Sequence, residues 1–226
     1  MNILDLWSGT GSGTKAWRYH TQDNIKNKII TVDIDKQFNP TICKDILDVT
    51  VQELEKYGPF DFIWASPDCT VFSIANLHSR HFYYDEGHLI INTKKAREAI
   101  KRVKHTLKLI KALNPTFWIL ENPRGMMRKM PFMVGYDRKT VTYCQYHGNL
   151  KRMKPTDLFG VFPVSFEPRM CKNGDLCHTP APRGTWRTGT QGLSKIERST
   201  IPIGLSHEIM ASVVDGRRLM TLEDFI

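Results

Sequence analysis

Cys69 is the residue of this sequence best placed to act as a nucleophile. It follows the apolar run 60–65 (FDFIWA), which has the length and aromatic content of a buried strand. Pro67 should end that strand, because proline cannot donate to a sheet ladder. The cysteine is therefore expected on a loop at the strand's carboxyl end, where open α/β sheets bind their ligands. Taken alone, the stretch slightly favours the alternative of a small buried hydrophobic residue.

A nucleophilic cysteine usually works with a second group, either a carboxyl group that transfers a proton or a positively charged side chain that stabilises the thiolate. Glu121 follows a second apolar run, 116–120 (TFWIL), which predicts another buried strand. A carboxylate there is expected to be partly desolvated, which favours its protonated form and suits proton transfer. Arg152 and Lys154 belong to a later basic cluster, for which ordinary surface charge is the alternative.

A Gly-rich turn between a strand and a helix indicates a site for a nucleotide-like ligand. The predicted strand 2–6 runs into residues 7–13 (WSGTGSG), and residues 14–20 look helical. The glycine spacing matches neither the dinucleotide fingerprint nor a P-loop. Asp5, in the end of the strand, suits a ligand with a positive amino group and would repel a pyrophosphate.

Two more carboxylates follow predicted strands of the same unit. Asp33 comes after the run 28–32, where an acidic residue typically holds ribose hydroxyls; a cap on the next turn is the alternative. Asp45 closes a short strand within 39–46, and with Ile46 it could touch an adenine.

Strands alternating with helices predict an α/β fold, with a Rossmann-like sheet and helices on both faces. The clearest helix is 93–113, whose apolar stripe has i, i+3, i+4 spacing and whose basic face is expected to be solvated. We predict a catalytic domain at 1–160, completed by a C-terminal helix at 201–216. Residues 161–200, rich in Pro, Gly, Arg and Thr, are predicted to form a small irregular recognition lobe.

The segment 74–89 mixes histidines and aromatics with Arg80 and shows no clear period. Such a segment suits a loop that closes on nucleic acid, and a solvated insertion is an equal alternative. In the lobe, Arg183 and Arg187 could read bases or hold phosphates. Cys171, Cys177 and His178, with Cys144 able to come near, could bind zinc, but their spacing matches no strong signature, so no metal is predicted.

The composition favours a nucleic-acid partner over a membrane. The 226 residues carry a formal net charge of +9, and no segment has the apolar length of a membrane span or the pattern of a signal peptide. The five scattered cysteines do not form a disulfide pattern, so a reducing compartment is expected, namely the cytoplasm.

The motifs and their order resemble the DNA (cytosine-5) methyltransferase family, most closely its small phage-type members. Residues 5–11 (DLWSGTG) are similar to the family's first motif, D-L-F-x-G-x-G-G. Residues 68–73 (DCTVFS) are similar to its nucleophile motif, P-C-Q-x-F-S, with Asp68 and Thr70 in place of Pro and Gln. Glu121-Asn122 matches its E-N-V, and Lys154 stands where the family has a second Arg.

The resemblance implies a monomeric enzyme of a bacterial or phage-infected cell that methylates C5 of cytosine in double-stranded DNA from S-adenosylmethionine. Cys69 would attack C6 of a flipped-out base, Glu121 would relieve charge at N3, and Arg152 or Lys154 would stabilise O2 and the thiolate. The predicted cofactor-binding residues are Asp5, Trp7, Ser8, Gly9, Thr10, Gly11, Asp33, Ile34, Asp45, Ile46 and Ser66. The predicted DNA-binding residues are Ser73, Arg80, Asn122, Arg183 and Arg187.

Two rival functions fit the same residues. The first is the same chemistry on cytosine in RNA, such as tRNA, since a short recognition lobe suits either substrate. The second is a DNA-binding protein with a vestigial cofactor pocket. A restriction partner is not predicted from the sequence.

Overall fold

The computed structural model describes residues 1–22, 25–74, 80–146, 152–181 and 189–223. Its strands are β1 (Asn2–Leu6), β2 (Thr21–Gln22), β3 (Ile25–Lys26), β4 (Lys28–Asp33), β5 (Ile42–Cys43), β6 (Phe62–Ala65), β7 (Phe82–Asp85), β8 (His88–Ile91), β9 (Phe117–Pro123), β10 (Arg138–Thr142) and β11 (Pro155–Val161). Its α-helices are α1 (Lys15–Tyr19), α2 (Val51–Glu55), α3 (Lys94–Leu113), α4 (Lys195–Ser199) and α5 (Ile203–Glu223).

Seven of these strands form one sheet in the order β10-β11-β9-β6-β1-β4-β5. The strands from β5 to β9 in this order are parallel, while β11 runs antiparallel to both of its neighbours. The predicted α/β fold with a mainly parallel sheet is confirmed. Because parallel strands share one carboxyl edge, the loops after β1, β4, β6 and β9 meet there.

Helices cover both faces of the sheet, because successive side chains of a strand point to opposite sides. Leu4 and Leu6 of β1 belong to the core under α3. Ile3 belongs to a second core, which Trp17 of α1 and Leu205 of α5 also enter. Trp17 stacks on Phe62 there, with ring centroids 4.8 Å apart. The central strands are therefore buried on both sides.

Strand β9 is longer than its apolar run predicts. Instead of ending at Leu120 it continues to Pro123, because β11 pairs antiparallel with it, placing Glu121 opposite Leu158 and Asn122 opposite Asp157. The two polar residues therefore lie inside the strand rather than on a loop beyond it.

The segment expected to be irregular after Cys69 contains a hairpin, β7–β8. Its two-residue turn, Glu86-Gly87, has φ of 44° and 82°, which is the primed turn that suits the twist of paired strands. Phe82 at its base stacks on Phe72, with ring centroids 5.8 Å apart. The hairpin is thereby attached to the Cys69 loop.

Helix α5 begins near the predicted position and runs past residue 216 to Glu223. Its first turn holds the Gly-rich turn after β1, because Ser206 Oγ accepts from Ala16 N (3.1 Å) and donates to the carbonyl of Gly13 (2.9 Å). The amide of Ile201 also donates to Ser12 Oγ at 2.9 Å. The boundaries at 160 and 200 between catalytic domain and lobe stay a prediction.

Among the residues that the structure describes, no helix has the length and apolar character needed to cross a membrane.

Candidate active site

The loop after β6 presents Cys69 at the carboxyl edge of the sheet. The backbone amides of Phe72 and Ser73 both donate to the carbonyl of Cys69, at 3.0 and 2.9 Å. The carboxylate of the exposed Asp68 accepts the amide of Thr70 at 2.9 Å. These bonds fold the loop into a tight turn that leaves the Cys69 side chain partly exposed.

A second loop, following β9, rests directly on the first. Ser73 and Gly125 form an isolated antiparallel bridge, and Met126 N donates to the carbonyl of Phe72 at 2.7 Å. A Cβ on Gly125 would lie 2.1 Å from that carbonyl oxygen, which is too close for any larger residue. Below this contact, the buried Asn122 donates to the carbonyl of Pro67 at 3.2 Å.

Glu121 is buried, with 5% of its surface exposed, and it is held by two neighbours. Tyr143 donates its hydroxyl to Glu121 Oε1 at 2.9 Å, and Lys154 Nζ lies 4.0 Å from the same oxygen. The ammonium of Lys154 sits 4.5 Å from the centre of the Tyr143 ring and donates to the carbonyl of Arg198 at 2.7 Å. Burial, and then the nearby Glu121, raise the pKa of Tyr143 well above its usual value, so its hydroxyl stays a donor.

Cys69 lies within electrostatic reach of this group. Burial raises the pKa of its thiol to about 11, the charge of Lys154 lowers it, and Glu121 and Asp68 raise it further. The thiol is therefore mostly protonated at neutral pH, and Lys154 is the basic residue that favours the thiolate. Arg152 is half-buried two residues before Lys154, and its role stays a prediction.

A cavity of about 270 Å³ opens beside the Cys69 loop, against α3. Five of the residues predicted to bind a cofactor line it: Trp7, Asp33, Ile34, Asp45 and Ile46. The other lining residues are Val32, Lys44, Pro67, Asp68, Val71, Lys95, Glu98, Ala99, Arg102 and Val103.

Asp33 and Trp7 have fixed positions in this cavity. The carboxylate of Asp33 accepts the amides of Gly9 and Asp35, both at 2.8 Å, so it joins the Gly-rich turn to the end of β4. Trp7 has a left-handed backbone (φ 61°) and donates its indole N–H to Thr106 Oγ1 of α3 at 3.1 Å. Neither group needs to move to face a ligand.

Asp45 is paired with Arg102, a cavity residue that the sequence did not predict. The guanidinium donates from Nη2 at 2.7 Å and from Nε at 3.3 Å, and these bonds hold the pKa of Asp45 below its usual value. The basic face of α3 was expected to be solvated. Arg102 departs from that expectation because its partner Asp45 lies 57 residues earlier in the chain, which no local pattern shows.

Asp5 lies away from the cavity. It shares a face of β1 with Ile3, opposite Leu4 and Leu6, and accepts a hydrogen bond from Thr14 at 2.6 Å. Burial raises the pKa of its carboxyl to about 7, which Thr14 and Arg18 partly oppose. It is therefore bonded to the Gly-rich turn through Thr14, and its contact with the amino group of a cofactor stays a prediction.

The remaining cofactor predictions concern the turn itself. The cavity lining does not include Ser8, Gly9, Thr10, Gly11 or Ser66. Gly9 has φ of +45° with open space where a Cβ would be, so a ligand can approach its backbone. Ser66 Oγ already accepts the indole N–H of Trp64 at 2.6 Å.

Three of the predicted DNA-binding residues, namely Ser73, Arg80 and Asn122, lie in the part of the chain that the structure describes. Ser73 is partly exposed in the bridge to Gly125, and Arg80 is exposed at the base of the β7–β8 hairpin with φ of +45°. Within the part of the chain that the structure describes, the buried Oδ1 of Asn122 has no hydrogen-bond partner. Arg183 and Arg187 lie outside the described residues.

The comparison with known proteins agrees with the motifs. A curated viral protein, "Probable DNA (cytosine-5)-methyltransferase" of Frog virus 3 (isolate Goorha), is 27% identical over 231 residues, covering 93% of this chain and 99% of that protein. The predicted resemblance to the DNA (cytosine-5) methyltransferases is confirmed. No family model matches this chain.

Two solved structures also align with this chain. Entamoeba histolytica EhMeth matches 76% of the chain at 15% identity, with a TM-score of 0.48. A mutant of Spodoptera frugiperda DNMT2 matches 79% at 17% identity, with a TM-score of 0.45. The chain spans 57% of the length of each, little more than half.

Proposed function

We propose that this protein transfers a methyl group from S-adenosylmethionine to C5 of cytosine in DNA, through a covalent bond between Cys69 and C6. The observation that carries the proposal is the convergence of Cys69, Glu121 and Lys154 beside a cavity at the carboxyl edge of the sheet. The viral relative's name supports the same activity.

The cavity residues fit an adenosine-like cofactor. The walls are largely apolar, formed by Trp7, Val32, Ile46 and Val103 among others, and the Asp33 carboxylate offers acceptor sites for ribose hydroxyls. Trp7 suits a sulfonium, because a cation is attracted to an aromatic face. When bound, S-adenosylmethionine supplies the electrophilic methyl group.

C5 of cytosine is a weak nucleophile, and Cys69 activates it. As the Cys69 Sγ–C6 bond forms, the thiol proton passes to a water molecule and protonated Glu121 donates its proton to N3, so C5 gains carbanion character. After C5 has received the methyl group, water takes up its original proton, the electrons of that C–H bond re-form the C5–C6 double bond, and the Sγ–C6 bond breaks. The thiolate then takes up a proton and N3 returns its proton to Glu121, which restores the aromatic ring, the free cysteine and the protonated carboxyl group. The thiol pKa of about 11 means that it must be deprotonated as the base enters.

Two neighbours prepare Glu121 and Cys69 for these steps. Lys154 places a positive charge beside the forming thiolate and close to Glu121 Oε1. Tyr143 donates to that same oxygen, which orients the carboxyl group and leaves its other oxygen for the base.

The target cytosine has to flip out of the DNA duplex to reach Cys69. The β7–β8 hairpin stands beside the Cys69 loop and exposes Arg80, Tyr83 and Tyr84, which suit contact with a phosphate and with bases. We assign contact with the DNA backbone to this hairpin and sequence recognition to residues 161–200. The protein would act as a cytoplasmic monomer.

Transfer of labelled methyl groups to duplex DNA and to tRNA tests the substrate class. We expect label in the duplex and in wild type only, with Cys69→Ser inactive. Label in tRNA alone would show that the substrate is RNA and would contradict the proposed DNA substrate.

A duplex containing 5-fluorocytosine tests the covalent step, because fluorine cannot leave as the C5 proton does. Wild type should form a stable adduct and Cys69→Ser none. Methylation without any adduct would contradict the covalent mechanism, and failure of both assays on every nucleic acid would contradict the enzyme assignment.

A further inference from the structure

Four side chains with metal-binding atoms converge outside the proposed active site. They are the thiols of Cys144, Cys171 and Cys177 and the imidazole of His178, whose ligand atoms all lie within 4.8 Å of one another. We propose that they form a structural zinc site that fastens the region after β11 to the end of β10. The proposal does not depend on the methyltransferase function.

Five of the six distances between the ligand atoms lie between 3.2 and 3.9 Å, close to those of a tetrahedral zinc site. With Zn–S bonds of about 2.3 Å and a Zn–N bond of about 2.0 Å, ligand atoms in a tetrahedral site stand roughly 3.5–3.8 Å apart. Cys144 Sγ lies 3.2 Å from Cys171 Sγ and 3.7 Å from Cys177 Sγ. Nδ1 of His178 lies 3.9, 3.7 and 3.3 Å from the sulfurs of Cys144, Cys171 and Cys177, respectively.

The backbone around the ligands is held by other bonds. Thr142 forms two of them: its amide donates to the carbonyl of Arg169 at 3.0 Å, and its hydroxyl accepts the amide of Cys171 at 2.9 Å. Asp175 turns the chain between Cys171 and Cys177 by accepting the amide of Lys172 at 2.8 Å. These backbone hydrogen bonds position the four ligands independently of the contacts among the ligand atoms.

The region after β11 has little apolar material of its own. Between 161 and 181 the buried residues are Pro163, Phe166, Cys171 and His178, and two of these four are proposed ligands. Leu176 and Val164 are almost fully exposed. Small segments with so small a core are commonly stabilised by a metal or by disulfides.

A metal explains the cluster better than a disulfide does. A disulfide would join Cys144 to Cys171 and leave Cys177 and His178 without a role, although both point to the same centre. Three thiolates and one imidazole in a tetrahedral arrangement are a ligand set typical of structural Zn²⁺. The four-ligand set also has no open position, so we assign it no catalytic step.

Metal analysis of the purified full-length chain tests the proposal. We expect one zinc per chain in wild type and in Cys43→Ser, which removes an exposed cysteine outside the cluster. Cys177→Ser should retain no zinc after dialysis against a weak chelator. Replacing zinc by Co²⁺ should give the visible absorption of a tetrahedral thiolate complex in wild type and not in Cys177→Ser.

Two results would overturn the site. One is that the reduced wild-type chain binds neither added Zn²⁺ nor Co²⁺. Because this measurement uses the unaltered chain, its outcome does not depend on whether Cys177→Ser folds. The other is an intact mass showing a Cys144–Cys171 disulfide in protein purified without oxidant. A chelator should lower the melting temperature of wild type, and readdition of Zn²⁺ should restore it.

Discussion

Tyr143, directly after β10, donates a 2.9 Å hydrogen bond to Glu121, which lies inside β9. Removing that hydroxyl by Tyr143→Phe should lower kcat for methyl transfer about tenfold, since one lost bond to a carboxyl group costs about 1–2 kcal/mol. The KM for DNA and the melting temperature should change little. Steady-state kinetics measure this, with Tyr136→Phe as a control that removes a hydroxyl outside the site. A lower kcat with a higher KM and a lower melting temperature would indicate a merely structural role.

Alkylation of Cys69 should be slow at neutral pH and accelerate as pH rises. Because burial raises the thiol pKa to about 11, the reactive thiolate fraction grows about tenfold per pH unit below that value. Lys154→Met removes the charge that lowers the pKa, so the rate should fall at every pH in this range. Iodoacetamide labelling followed by peptide mass spectrometry reports the rate at this cysteine.

Lys111→Met is the control for that experiment. Lys111 is exposed in the last turn of α3, at the edge of the sheet where β9 starts. Lys111→Met therefore removes the same unit of positive charge as Lys154→Met, but far from Cys69. Equal rates in Lys154→Met and Lys111→Met would contradict the placement of Lys154.

Asp33→Asn should weaken binding of S-adenosylmethionine at least tenfold, equivalent to about 1.4 kcal/mol. The two oxygens of Asp33 accept the amides of Gly9 and Asp35, and an Asn amide would turn a donor towards one of them. Calorimetry with the cofactor alone measures the affinity. Asp48→Asn, which changes an exposed carboxylate outside the cavity, should bind as wild type does; comparable losses in both variants would refute the assignment.

Arg80→Ala should weaken DNA binding and leave cofactor binding unchanged. If Arg80 contacts one phosphate, the slope of log K against log salt concentration should decrease by about one. Lys108→Ala, on the outer face of α3, should keep the wild-type slope. Fluorescence anisotropy over a salt series distinguishes the two, and identical slopes in all three proteins would remove Arg80 from the DNA interface.

Arg128→Met should destabilise the fold by about 3–5 kcal/mol, because it leaves a buried carboxylate without its cation. The side chain of Asp157 is fully buried, and Arg128 Nε donates to it at 2.7 Å. The matched control, Lys44→Met, breaks the surface ion pair with Glu53 and should cost less than about 1 kcal/mol. Urea denaturation gives both values, and similar costs would show that the buried pair is not coupled to folding.

The sequence predicted best what depends on neighbouring residues. Apolar runs located β1, β4 and β6, and the spacing of Cys69 after such a run located the loop that carries it. The extension of β9 through Glu121 could not be predicted from the apolar run, because it depends on pairing with β11, which comes later in the chain. The apolar run containing Asp5 did not indicate which side of β1 its carboxylate faces, and the structure places it on the face opposite Leu4 and Leu6.

Other site residues left no local signal. Tyr143 occurs in an ordinary strand-like run, and its contact with Glu121 becomes visible only in three dimensions. Arg102 looked like one more charge on a solvated helix face. The sequence indicated Cys171, Cys177 and His178 as a possible zinc set that Cys144 could approach, and the structure brings the four ligand atoms within 4.8 Å of one another.

The bonds from Ser206 and Ile201 to the Gly-rich turn also bear on how the protein is made. During synthesis the turn leaves the ribosome early, but its partners Ser206 and Ile201 are about 190 residues away in the chain. The cofactor site can therefore be completed only when α5 has emerged, so ribosome-bound nascent chains that stop before residue 201 should be unable to modify DNA.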